Sequence, residues 1–208
     1  MVKTRKKSVS GNKTKKHRTF GKNDFFSGDG FLTTIWGPVQ WHMLHTISFN
    51  YPVQPTVEQK KQYRDYILSL QNVLPCGACR KNLKTNLKQM PLTMKHMASR
   101  DTFSRYIYNL HELVNKMLKK DSNLSYCDVR ERYEHFRSRC TDSKPQVYTN
   151  FVKIDTSNDK DKDKDKDKEK GCTEPLYGKK ARCILNIVPQ EEKGQSIQID
   201  KKCIKKRE

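Results

Sequence analysis

The chain has 208 residues, with 43 Lys and Arg against 23 Asp and Glu, a formal net charge of +20 and 34% apolar residues. That length allows one or two domains, but the charge is gathered in stretches that cannot build a core, so the globular part must be shorter than the chain. No window approaches the roughly 20 apolar residues of a membrane span and no export-signal core is evident, so an unexported protein without a membrane span is expected.

Residues 1–24 carry nine Lys or Arg and one acid, Asp24. A basic arm over residues 1–28, disordered for want of apolar side chains, is the expectation. Residues 29–145 hold both tryptophans and most of the aromatic side chains, enough for one domain. Helical periodicity recurs through this segment and strand alternation is scarce, which predicts an all-α fold. The first helix is expected over about 35–49, with Pro38 tolerated in its first turn and Tyr51-Pro52 closing it. Trp41, Leu44 and His45 share or border one of its faces. Thr56 with Gln59 three residues on reads as a capping box that opens the second helix. Tyr63, Tyr66, Ile67, Leu70 and Leu74 then form an apolar stripe at helical spacing.

A third helix is expected from the pair Cys76 and Cys79, both in its first turn, through Leu83 and Leu87 to just before Pro91. A fourth runs over about 101–119, with Phe103, Ile107, Leu110, Val114 and Leu118 on its buried side and His111 and Asn115 neighbours on its surface. A short fifth helix over about 128–137 is bracketed by Cys127 and Cys140. Residues 146–171 include a run of alternating Asp and Lys that stays solvated and reads as a linker. The basic tail, 172–208, contains Cys172, Cys183 and Cys203. Its apolar run Arg182–Val188 has the look of a strand but no evident partner, so the tail is expected to be irregular.

Seven cysteines exceed what a reducing compartment usually tolerates as passive core, and they lack the compact spacing of a small secreted domain. The Cys76-Gly77-Ala78-Cys79 motif is the strongest chemical signal. Two cysteines at this spacing can close a disulfide at a helix start, where the dipole and unpaired N–H groups favour the thiolate. The setting argues against thioredoxin, because an amphipathic helix, not a hydrophobic strand, precedes the motif. A zinc site would need a second ligand pair, and Cys127 with Cys140 is too widely spaced for an ordinary knuckle, so no metal is expected. Haem attachment would require His where Arg80 stands.

His45 and His111 each border an apolar stripe, where a hydrogen-bonded core histidine is the plain reading of either alone. Trp41 with His45 and His111 with Asn115 give two helices, each presenting a planar or polar pair four residues apart, suited to holding a flat polar cofactor. Lys116, Lys119 and Lys120 follow and would meet a cofactor's phosphates, or simply complement the helix dipole. The net charge raises nucleic acid as a partner of the basic arm, but no recognition motif supports a specific contact.

In this order, Trp36-Gly37-x3-Trp41-x2-Leu44-His45, Tyr51-Pro52 with Pro55-Thr56, Pro75-Cys76-x2-Cys79 and His111-x2-Val114-Asn115 with Leu118 and Lys120 resemble the Erv/ALR family of FAD-linked sulfhydryl oxidases over about residues 30 to 140. The composition and the Asp-Lys repeat look more like a large-DNA-virus member, mimivirus-like, than a mitochondrial one. The resemblance implies four helices in a bundle around FAD with a fifth over the adenine side. It implies a thiol oxidase in which Cys76 meets substrate thiols, Cys79 lies beside the flavin, and electrons pass to O2 to give hydrogen peroxide. Gly37, Trp41, His45, His111, Asn115, Lys120, Arg132 and Tyr133 are the implied cofactor residues. It further implies a structural disulfide between Cys127 and Cys140, a possible electron shuttle at Cys172, Cys183 or Cys203, reduced cysteine-containing proteins as substrates, a homodimer, and a place in the infected host cell's cytoplasm or the virion.

The chain departs from the family pattern in three places. Glu112 stands where relatives carry Asn, Lys119-Lys120-Asp121 replaces Gly-Lys-Pro, and Tyr133 replaces Trp, keeping a ring that can still stack. The rival reading is a non-enzymatic helical module, stapled by a disulfide or bound to zinc, with a nucleic-acid-binding arm.

Overall fold

The computed structural model describes residues 21–139, 174–176, 181–189, 191–192 and 199–200. The chain divides at Gly30 into two units. The described part of the first contains one short helix, α1 (Lys22–Phe25), within the arm expected to be wholly disordered. The rest of that arm, residues 1–20, lies outside the described residues.

The second unit is helical: α2 (Thr33–Phe49), α3 (Val57–Val73), α4 (Gly77–Gln89), a 3-10 turn (Met94–Met97), α5 (Arg100–Met117) and α6 (Tyr126–Glu134). The expected elements are all present and the boundaries differ for local reasons. Helix α2 begins at Thr33, which puts Pro38 in the second turn, where it withholds the N–H that Thr34's carbonyl would accept. Helix α3 starts as read: Gln59 N–H donates to Thr56 Oγ1 at 3.2 Å and Thr56 N–H to Gln59 Oε1 at 2.9 Å. Helix α6 opens two residues earlier than expected because Ser125 caps it in a reciprocal box with Asp128. Cys127 therefore lies inside the helix, not before it.

Burial follows the apolar stripes with two exceptions. Leu44, Ile67, Leu70, Leu87, Phe103, Ile107 and Leu110 meet Tyr51, Leu92, Met97 and Tyr106 in one core, with Trp41, Tyr63, Leu74 and Leu83 at its edge. Tyr66 and Leu118, expected on the stripes, are 38% and 50% exposed; Leu118 is the C-cap of α5 and has left the helical face. A second cluster, Phe49, Tyr126 and Val129 with Tyr133 against it, seats α6 on α2 and α5.

Four arginines fasten the connections by donating to carbonyls in loops or at helix ends: Arg64 to Leu92, Arg80 to Leu74, Arg100 to Tyr51 and Arg137 to Phe49. Each satisfies a buried or half-buried acceptor that no helix reaches. A two-residue antiparallel ladder, unforeseen in the sequence, joins β1 (Ser138–Arg139) to β2 (Glu174–Pro175), with Leu176 N–H donating to the Arg137 carbonyl at 2.8 Å. The run 181–189 has no regular structure, as expected. No helix among the described residues is long and apolar enough to cross a membrane.

Candidate functional site

Cys76 is the N-cap of α4 and Cys79 lies in the first turn, and the two form a disulfide with Cα atoms 5.1 Å apart. Cys79 N–H donates to Cys76 Sγ at 3.2 Å, so this sulfur occupies the place of a capping oxygen and faces the positive end of a 13-residue helix. Both features favour a thiolate there once the disulfide is reduced. Cys79 Sγ lies 3.6 Å from Thr33 Oγ1, a hydroxyl at the start of α2 that can donate to a Cys79 thiolate. Gly37 helps to keep Thr33 in place, since a Cβ there would come within 3.3 Å of Thr33 Cγ2. Phe31 N–H donates to the Pro75 carbonyl at 2.9 Å, tying the entry of α2 to the loop that carries Cys76.

The second part of the site is an aromatic cluster between α2, α5 and α6. Trp41 and His111 stack with ring centroids 4.0 Å apart and 5° between planes. His45 Nε2 and His111 Nδ1 share a hydrogen bond of 3.0 Å. Tyr133 stacks on Phe49 at 5.3 Å and lies 5.2 Å from His45. His45 is buried and its Nδ1 has no hydrogen-bond partner among the described residues. An orphaned ring nitrogen of this kind is costly unless a bound group completes it.

Burial sets the charge state. Desolvation, helped by the fields of His111 and His42, lowers His45 to about 3. Desolvation, opposed by Glu112 and helped by Lys120, lowers His111 to about 4. Both imidazoles are neutral at pH 7, so the bond between them has one donor and one acceptor. Burial also raises the Tyr133 phenol, against the pull of neighbouring Arg132.

Of the remaining expected cofactor residues, Asn115 and Arg132 are half-buried and Lys120 is exposed. The Asn115 side chain is engaged, its Nδ2 donating to Glu112 Oε1 at 3.1 Å, and the same carboxylate oxygen accepts from Ser122 Oγ at 2.9 Å. Glu112 thus ties the loop after α5 to the helix. Lys120 is exposed, and its backbone is set by a Schellman turn in which Lys120 N–H reaches the Asn115 carbonyl and Lys119 N–H the Lys116 carbonyl. Lys119 takes the left-handed conformation, φ 54°, where glycine is favoured.

Residues missed in the sequence are as informative. His42 Nδ1 lies 3.2 Å from the Tyr133 hydroxyl and so fixes the ring that stands where the family has Trp. Phe49, Thr33 and Arg80 gave no motif signal, because each matters through a contact with a residue far away or a main-chain atom. Of the expected cysteines outside the redox pair, Cys127 and Cys183 are exposed, and neither is disulfide-bonded to another described residue. Cys140, Cys172 and Cys203 lie outside the described residues.

The Erv1/Alr family model matches residues 38–137. A protein of Acanthamoeba polyphaga mimivirus, described as a probable FAD-linked sulfhydryl oxidase, is 34% identical over 99 residues, covering 48% of this chain and 68% of that relative. The chain belongs to the Erv1/Alr family. An FAD-linked sulfhydryl oxidase of African swine fever virus is 29% identical over 99 residues, 48% of this chain and 80% of the relative. The mitochondrial FAD-linked sulfhydryl oxidase ERV1 of Saccharomyces cerevisiae is 29% identical over 84 residues, and the match covers 40% of this chain and 43% of that family member. The crystal structure of the yeast Erv1 core aligns with a TM-score of 0.45 at 24% identity, over 58% of this chain and 95% of that one.

Proposed function

We propose that this chain is an FAD-dependent thiol oxidase that forms disulfides in reduced cysteine-containing proteins. The observation that carries the reading is a disulfide held at a helix N-terminus in the bundle whose facing helices enclose His45 and its orphaned Nδ1. The residues fit a flat, polar, anionic cofactor: stacking faces at Trp41, His111 and Tyr133, a neutral imidazole needing a partner, and the exposed Lys120. Gly37, Asn115 and Arg132 complete the set assigned to it.

A substrate thiolate attacks Cys76 Sγ, the Cys76–Cys79 bond breaks, and Cys79 leaves as a thiolate stabilised by the Thr33 hydroxyl. A second substrate thiolate then attacks the mixed disulfide, releasing oxidised substrate and the Cys76 thiolate, which the Cys79 N–H and the α4 dipole hold. Two electrons have passed from the substrate to the pair. FAD, when bound, supplies the acceptor that takes these electrons and hands them to O2 as hydrogen peroxide.

Cys127 and Cys140 form a structural disulfide, and the tail cysteines Cys172, Cys183 and Cys203 are the source of a shuttle to Cys76. The chain is a homodimer through α2, supported by Ile35, Val39 and Met43, which recur every four residues and remain 38%, 45% and 50% exposed. The basic arm makes at most nonspecific contacts with nucleic acid, and the protein acts in the host cytoplasm or the virion.

The test is oxygen consumption and peroxide release with dithiothreitol, for the full chain and for Cys76→Ser and Cys79→Ser. Each substitution is expected to abolish turnover and leave FAD bound. Retained oxidase activity in either variant refutes the assignment of the pair.

A further inference from the structure

Helix α4 differs in charge from every other α-helix among the described residues, α1 included, which has Lys22 with Asp24. Its 13 residues contain Arg80, Lys81, Lys84 and Lys88 and no acid, whereas α3, α5 and α6 each mix both signs and α2 has no Asp, Glu, Lys or Arg. Cys76, Arg80, Lys84 and Lys88 are spaced by four. They follow one ridge of the helix, which begins at Cys76 and meets a cation at each following step. The Arg80 guanidinium is anchored at the Leu74 carbonyl and against Gly77, and Lys84 and Lys88 are exposed. Neither lysine makes an ion pair among the described residues. Lys88 also complements the C-terminal end of the dipole, but Lys84 stands at mid-helix, where the dipole gives it no role.

Each step of four along this helix advances about 6 Å. Two residues of an extended chain advance about 6.6 Å, and alternate side chains point the same way. A peptide laid along the ridge with its cysteine at Cys76 therefore presents the side chains two, four and six positions away to Arg80, Lys84 and Lys88 in turn. We propose that the Cys76–Arg80–Lys84–Lys88 ridge is a docking surface for extended segments of reduced substrate proteins that carry acidic residues at alternate positions beside the cysteine. This rests on the thiol-oxidase reading above and names the substrate class of that site. Electrostatic attraction raises the encounter rate, and the spacing sets the register of the substrate sulfur on Cys76.

The test compares reduced dithiol peptides as substrates of the full-length protein. One series carries Glu two, four and six residues from the nearer cysteine, a second carries Glu at one, three and five, and a third has Gln in place of Glu; each is made with the extension on either side. The first two have equal net charge, so their ratio reads register and not attraction at large. The in-phase peptide is expected to exceed the out-of-phase one in kcat/KM by about threefold to tenfold, the size of two or three exposed ion pairs. High salt should bring the ratio toward one. So should Lys84→Gln/Lys88→Gln, with Lys84→Glu/Lys88→Glu inverting the preference. The ratio cancels any change in the redox core.

No phase preference on either side, or a preference untouched by both double variants, overturns the proposal. So does a single-stranded oligonucleotide whose binding depends on Lys84 and Lys88 while the peptides show no phase effect, which would reassign the ridge to nucleic acid. Absence of wild-type turnover with dithiothreitol removes the oxidase reading itself and the docking surface with it.

Discussion

His45 and His111 give the molecule a stability that acid should erode before any carboxylate does. Their pKa values are lowered to about 3 and about 4, with burial as the largest cause, against about 6.5 in an unfolded chain. The unfolded state therefore binds more protons than the folded one between pH 6.5 and 4, and stability falls as pH drops through that window. Keeping one imidazole neutral at pH 5 costs about 2 kcal/mol, and the pair together about 2–4 kcal/mol. For a domain of this size that is roughly 10–20 °C in Tm between pH 7 and pH 5. Asp101 and Glu134 are held down by hydrogen bonds from Arg105 and Arg137, but they add their share only as pH falls below about 4. The assay is thermal unfolding of the full chain by circular dichroism at pH 5, 6 and 7, with His111→Gln beside the wild type. Glutamine keeps a polar partner for His45 and does not titrate, so the drop should shrink by about half. An unchanged drop in the variant, or a wild-type Tm flat over this range, contradicts the reasoning.

Lys119→Gly should raise stability by about 0.5–1 kcal/mol, read as a Tm gain, because it relieves a side chain from φ 54° and keeps the Schellman turn; Asn123→Gly at φ 51° should gain less, since asparagine tolerates that region. Phe103→Ala should cost about 3–5 kcal/mol in urea unfolding, as the ring is 0% exposed and packs on Tyr51 with centroids 4.9 Å apart. Truncation after Phe151 should leave dithiothreitol oxidation intact and slow oxidation of a reduced protein; equal rates on both would remove the tail as a shuttle.

Much of the fold could be read in advance because its determinants are local. The Thr56–Gln59 box, the apolar stripe of α5 and the cysteine pair ahead of Leu83 and Leu87 all act within a few residues. Ser99 with Thr102 and Ser125 with Asp128 are boxes of the same kind, and overlooking them set two helix starts one or two residues late. What escaped depends on distant partners. His42 acquires its role from Tyr133, 91 residues away, and Tyr106 is buried because its hydroxyl finds the Met90 carbonyl at 2.8 Å. The facing pairs of α2 and α5 came together as His45 with His111 and Trp41 over His111, but Asn115 turned to Glu112 because that carboxylate lies one turn back on the same helix. The β1–β2 ladder joins segments separated by the charged linker, which no periodicity could signal.

An anaerobic titration of the purified full chain with dithiothreitol, followed by the visible absorbance of bound flavin, decides whether the cysteine pair feeds electrons to the cofactor. The wild-type protein should be yellow, bleach as thiol is added and recover its colour with peroxide release when O2 is admitted, whereas Cys76→Ser and Cys79→Ser stay yellow throughout. A colourless wild type, or bleaching that proceeds equally without the cysteine pair, would contradict the thiol-oxidase reading.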